Sequence, residues 1–120
     1  MKTDNIIQEK SYAFAIRIVN LYRYLTEKKK EYVLSKQVLR SGTSIGANIE
    51  EGIGGQSKKD FYAKLNIAYK EARETNFWLR LLKDTNYISA KEAKSLIEDC
   101  NEILRIITAI INTMKKQLNY

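Results

Sequence analysis

The stretch KKDFYAKLNIAYKEARETNFWLRLLKD, residues 58–84, decides the fold. Within it Phe61, Leu65, Ala68, Ala72, Thr75, Leu79 and Leu82 recur at alternating steps of four and three. That spacing lays one apolar seam along a helix over three heptads. Ser57-Lys58-Lys59-Asp60 opens the helix as a variant capping box, with aspartate where Glu or Gln is usual. The helix is predicted to end near Asp84, before a turn over 85–88.

Working outward, the next segment opens with a full capping box, Ser89-Ala90-Lys91-Glu92. Its stripe is Ala93, Leu96, Cys100, Ile103, Ile107, Ile110 and Met114, broadened by Ile97, Leu104 and Ile111. Upstream, a helix is expected from Ser35, read as its N-cap, to Gly52, with Val38, Ile45, Ile49 and Ile53 on one side. Gly52-Ile53-Gly54-Gly55 then offers residues that accept positive φ, as a C-cap and turn require. The first helix is expected from Asp4 to Leu25, with Ile7, Phe14, Ile18, Leu21 and Leu25 as its stripe; Glu27-Lys28-Lys29-Lys30-Glu31 ends it as a solvated connection.

Long helices joined by short loops pack antiparallel to their neighbours. The fold class is therefore all-α, an antiparallel up-down-up-down four-helix bundle with turns near 27–34, 53–57 and 85–88. The 120 residues suit one domain spanning 1–120. The chain has no proline, and its five glycines all lie between Gly42 and Gly55, so the other segments lack the strongest helix breakers.

No segment reaches the ~20 apolar residues that span a bilayer, and Met1-Lys2-Thr3-Asp4-Asn5 starts no signal-peptide pattern. A lone cysteine excludes an intrachain disulfide. The expected location is cytoplasmic, with no membrane contact. Net charge is +7 and the pI about 9.5. Residues 1–60 carry 11 basic and 7 acidic groups, and residues 61–120 carry 10 and 7, so the excess forms no tail. Such a balance permits nucleic-acid binding without requiring it.

Catalytic chemistry is poorly served. There is no histidine, the commonest general base and metal ligand. Glu71-x-x-Glu74 offers carboxylates without the Glu-x-x-His pairs of a di-iron bundle. Cys100, on an apolar stripe, reads as a buried inert thiol. The glycine cluster lacks the Gly-Lys-Ser/Thr ending of a phosphate loop and follows a helix. The expectation is a non-enzyme without metal, cofactor or small-molecule substrate.

Two polar stripes flank the core. Arg40, Ser44, Asn48 and Glu51 step by four, four and three. Tyr62, Asn66, Tyr69, Arg73, Asn76 and Arg80 run one residue behind the seam of the third helix. Arginine mixed with aromatics suits a protein interface. It also suits RNA, where rings and guanidinium planes stack on bases, though spacing alone favours the protein interface. A plain solvated face with internal ion pairs has the same spacing. Gly42 and Gly46, four apart, would let another helix backbone approach closely.

The run Arg40-Ser41-Gly42-Thr43-Ser44-Ile45-Gly46-Ala47-Asn48-Ile49-Glu50-Glu51-Gly52 resembles the signature of the 23S ribosomal RNA intervening-sequence proteins. Phe61, Leu65, Ile67-Ala68, Glu74, Leu79 and Leu82 match as well, and the resemblance extends from about Ser11 to Met114. Many members carry Gly-Ser where this chain has Lys70-Glu71, which implies a different branch and altered contacts on that face. The resemblance implies a small bacterial four-helix bundle protein that assembles as a homopentamer with a basic surface. A related branch serves diversity-generating retroelements as an accessory protein, and nucleic-acid binding is inferred for the group.

Together these readings make the expected function that of a homo-oligomeric, nucleic-acid-binding accessory protein for structured RNA. The alternative is an oligomeric protein scaffold whose charge serves solubility. A ring of five would carry about +35, enough to steer polyanions. Lys58 and Lys59, at the positive end of the third helix, are the first candidate contacts. Arg73 and Arg80 follow, then Lys28, Lys29 and Lys30. Arg40, Ser44, Asn48, Glu51 and Glu74 are assigned to structure, with Arg40, Asn48, Glu51 and Glu74 expected as a paired cluster between helices or subunits.

Overall fold

A computed structural model describes residues 2–120, with side chains from Ile6 onward; Met1 of the 1–120 reading lies outside the described residues. Four helices account for nearly all of it: α1 Lys2–Glu27, α2 Leu34–Ile53, α3 Lys58–Asp84 and α4 Ala90–Leu118. No strand occurs among the described residues. The molecule measures 47 × 21 × 21 Å. A 27-residue helix rises about 40 Å at ~1.5 Å per residue, so each long helix runs most of the length.

Residue pairs fix the directions. Gln8 meets Glu50, while the space beside Gly42 is filled by Ile18, so α1 and α2 run opposite ways. Glu51 meets Lys64 and Ser41 meets Thr75, which reverses α3 against α2. Asn76 bonds Asn101 while Tyr62 touches Tyr120, reversing α4 against α3. Lys10–Glu102 and Arg17–Glu92 do the same for α4 and α1. Each helix touches its two sequential or closing neighbours and not the one diagonally opposite.

The core follows the apolar stripes. Every stripe residue expected of α1 is buried, as are Leu65, Ala68, Ala72, Thr75, Leu79 and Leu82 of α3 and the seven of α4. Phe61 is only partly buried, packed on the edge of this core. Ile53 departs from expectation: it is 40% exposed, because it is the last residue of α2 and the chain turns away there. The buried hydroxyls are paired. Thr75 Oγ1 lies 2.9 Å from Ser41 Oγ and 2.8 Å from the Glu71 carbonyl, so burial leaves no orphan there.

The glycines act by size rather than by backbone freedom. None has positive φ, contrary to the turn chemistry expected of Gly54 and Gly55. A Cβ on Gly42 would fall 2.8 Å from two carbons of Ile18, and one on Gly52 would fall 2.8 Å from the Phe61 ring. Gly46 faces the Ser11 backbone at 3.4 Å, an ordinary contact distance. The left-handed positions are held by Lys30, Asn86 and Asn119 instead. Asn86 closes α3 in a Schellman motif: its N–H donates to the Lys83 carbonyl and that of Tyr87 to Leu82. Asn119 repeats the pattern on α4, with donors on Asn119 and Tyr120 reaching Lys116 and Lys115.

Helix starts also differ from the sequence reading at one place. Ser57 and Ser89 cap α3 and α4 by accepting from the N–H groups of Asp60 and Glu92, each at 3.1 Å. Ser35, however, is a buried residue inside the first turn of α2, and Val33 occupies the cap position without a side-chain bond. Glu31 does the capping. Its carboxylate accepts from the N–H groups of Val33, Leu34 and Ser35, the last at 2.7 Å. Partial burial alone would raise the Glu31 pKa, but these backbone donors outweigh it and hold the carboxyl below its ordinary value of 4.5.

Two tests follow from this packing. Gly42→Ala should lower stability by about 1–2 kcal/mol in urea unfolding, since overpacking outweighs the helix-propensity gain of alanine. Gly46→Ala, with room for its methyl, should be neutral or stabilising by up to about 1 kcal/mol. Glu31→Ala should cost about 1 kcal/mol at neutral pH. Because the folded pKa of Glu31 is depressed, that contribution is present above about 4.5 and is lost as pH falls through the lower folded value. Unfolding curves of wild type and Glu31→Ala should therefore converge in acid.

Candidate nucleic-acid interface

α3 places most of the candidate cations on one face. Lys59, Asn66, Arg73 and Arg80 follow one another at steps of seven, and Tyr62, Tyr69 and Asn76 form a parallel row. Lys58, Lys59, Arg73 and Arg80 are all exposed. From Lys58 to Arg80 the track is about 33 Å long at ~1.5 Å per residue. Asp60 departs from this face, and no other carboxylate of α3 lies on it before Asp84.

The two ends differ. At the start of α3, Ser57 already serves one backbone donor, and the Asp60 carboxylate accepts from the Gln56 N–H at 3.2 Å. The protein's own anion thus occupies the positive helix end, and Lys58 and Lys59 act there as point charges. At the far end, Lys29 lies beside Tyr24, with its Nζ 5.9 Å from the ring centroid. Lys29 lines a groove with Lys83, Asn86 and Tyr87, so the lysine run at 28–30 adjoins the α3–α4 turn. The Lys58/Lys59 pair and the Lys28–Lys30 run therefore sit at opposite ends of the bundle, with Arg73 and Arg80 between them.

Between α3 and α4 runs a shallow groove that the sequence reading missed. Tyr69, Arg73, Leu104, Arg105, Thr108, Ala109 and Asn112 line it, without a carboxylate. Arg73, Arg80 and Arg105 form no ion pair among the described residues. Arg80 Nε instead donates to Asn76, and Asn76 donates to Asn101 across the groove. The signal for Arg105 lay in its step of four from Asn101, but only packing sets the register of α4 against α3.

Two other seams carry ion pairs. Arg17 pairs with Asp99 at 2.6 Å and Lys10 with Glu102 at 3.1 Å, between α1 and α4. Between α2 and α3, Arg40 pairs with Glu71 at 3.2 Å and with Glu74, whose carboxylate also accepts from Trp78 Nε1 at 2.9 Å. Glu71, at the position where this chain departs from its resemblance, gives Arg40 its second carboxylate. Within one chain, Arg40 and Glu74 are the two members of the expected four-residue cluster that come together. Glu51 lies farther along α2 and pairs with Lys64. Ser44 and Asn48 turn back onto their own helix, to the carbonyls of Arg40 and Ser44. Spacing set these residues on one face, but helical neighbours need not share a partner.

Nothing in the described residues forms a group of metal-ligating side chains. Cys100 is buried and donates to the Ala72 carbonyl at 3.3 Å. Burial, with the nearby Asp99 charge, pushes its thiol up to about 12, so it stays protonated and unreactive.

The ion pairs are partly exposed, which limits their worth. Glu51→Ala should change stability by less than about 0.5 kcal/mol, as exposed pairs do. Glu74→Ala removes two charge-assisted partners and should cost about 1–2 kcal/mol. Thermal or urea unfolding of the two variants separates them.

Comparisons with known proteins fit this architecture. A crystal structure of a protein of unknown function from the S23 ribosomal protein family of Bacteroides thetaiotaomicron VPI-5482 superposes with a TM-score of 0.90. The two are 53% identical over 92% of this chain and 98% of that one. No curated protein matches in sequence. The profile of the 23S rRNA-intervening sequence protein family matches residues 3–109. The four-helix chain therefore belongs to the 23S rRNA-intervening sequence protein family.

Proposed function

We propose that this protein is a non-catalytic, homo-oligomeric accessory protein that binds nucleic acid, with structured RNA as its target. The observation that carries the reading is the face of α3 from Lys58 to Arg80, which presents exposed cations and no carboxylate, while the α1–α4 and α2–α3 seams hold their charges in pairs. Cations that form no internal pair are free to neutralise phosphates. The even spread of the +7 charge adds long-range attraction.

Self-association is the second half of the reading. Tyr12 is 68% exposed and Ile16 50%, beside a groove between α1 and α2 that includes Ala15, Gly46 and Ala47. Large exposed side chains next to small ones give a surface able to interlock with another subunit. The family resemblance adds the pentamer as the preferred stoichiometry. A protein scaffold without nucleic-acid binding is the rival.

Titration of a labelled structured RNA at several salt concentrations tests the binding. Affinity should fall by a log–log slope of about −0.7 for each phosphate contact on single strands. Lys58→Glu/Lys59→Glu should weaken it and flatten the slope. Sedimentation equilibrium should give about five times the 13.9 kDa chain mass. No binding at about 50 mM salt would favour the scaffold, and a mass of one chain would remove the assembly.

A further inference from the structure

Along one edge of α3, aromatic and cationic side chains alternate: Tyr69, Arg73, Phe77 and Arg80, at steps of four, four and three. Phe77 is 47% exposed, so part of its ring is open to solvent. Arg80 stands over it, with the guanidinium carbon 6.0 Å from the ring centroid, and the Trp78 ring braces it edge-on at 5.0 Å. Tyr69 lines the α3–α4 groove four residues before Arg73, and Arg105 faces the same groove from α4. None of the three arginines is neutralised by a carboxylate among the described residues.

We infer that this edge is a stacking site for unpaired nucleotides, so that the protein engages single-stranded segments of its target rather than duplex. The inference rests on the nucleic-acid-binding reading and specifies it. Rings can take base faces only where those faces are open. In a duplex, bases stack at ~3.4 Å with their faces covered. Tyr69 and Phe77 are about 12 Å apart along the helix at ~1.5 Å per residue, which suits an extended strand with Arg73 and Arg105 meeting phosphate between the rings. Tyr69 lines the positive groove and Phe77 stands beside it on the exposed side of α3; aromatic residues along a positive surface are how sequence-tolerant single-strand binding is built. A second protein could also use Arg and aromatic residues, but the lack of any carboxylate in the groove favours a polyanion.

Fluorescence anisotropy with a labelled single-stranded oligoribonucleotide and its own duplex tests this at one salt concentration, with chain mass followed by light scattering. Wild type should prefer the single strand by about tenfold. Phe77→Ala should weaken single-strand binding about tenfold, within the range of one stacked base, and leave duplex binding unchanged. Phe77→Tyr should keep it. Arg73→Gln/Arg105→Gln should weaken both forms. Equal affinity for duplex, or single-strand binding untouched in Phe77→Ala, overturns the inference while leaving nucleic-acid binding intact. If wild type binds neither form, the broader reading falls with it. If Phe77→Ala changes the assembly mass instead, the edge is a subunit contact and the inference is rejected.

Discussion

The structure depends on how thin α2 is. Two packed helices ordinarily stand 8–10 Å apart, set by the side chains at the contact. On α2 the contacts toward α1 are made at Gly42 and Gly46, and the contact toward Phe61 of α3 at Gly52. Ile18 and Phe61 fill space that a methyl group would occupy. On the side toward α3, the Ser41 and Thr75 hydroxyls meet and Arg40 reaches Glu71 and Glu74. The second-helix run that carries the family resemblance is thus largely architectural: Ser41, Gly42, Ile45, Gly46, Ile49 and Gly52 all face inward.

Much of the fold was legible because burial follows the helical period. The stripes of α1, α3 and α4 could be read residue by residue, and both serine caps with them. What was not legible depended on where the chain goes after a helix ends. Ile53 keeps the periodicity of α2 but lies at its last turn. Ser35 looks like a cap, yet Glu31 folds back from the preceding loop and takes the role, a contact that no spacing rule specifies. Gly54 and Gly55 suggested left-handed turns, whereas Asn86 and Asn119 hold such positions at the ends of α3 and α4. Of the candidate interface, the seven-residue step through Lys59, Arg73 and Arg80 was visible in sequence. Arg105 was not, because it joins that face only once α4 has its register. Phe77 had a signal, its place four residues after Arg73, but lay outside the row used to define the stripe.

Charge is distributed by seam. α1 against α4 and α2 against α3 are joined by opposite charges, which cancel locally. The α3–α4 groove is lined without a carboxylate, and further exposed basic residues stand elsewhere, among them Lys28, Lys29, Lys30, Lys36, Lys115 and Lys116. Among the described residues, no helix is long and apolar enough to cross a membrane.

The order of contacts around the bundle has a consequence for how it opens. α1–α2, α2–α3 and α3–α4 join segments consecutive in the chain, so their closure costs little loop entropy. The α1–α4 seam alone joins distant segments, and those two helices make the sparsest approach. It is bridged by Arg17 and Lys10 pairs whose strength falls with salt. Local unfolding begins where packing is thinnest and bonds face water. The bundle is therefore a three-hinged sheet of helices rolled into a tube, with α1 and α4 as its two meeting edges. In hydrogen exchange, the amides of the edge helices α1 and α4 would lose protection before those of α2 and α3, and added salt would hasten that loss.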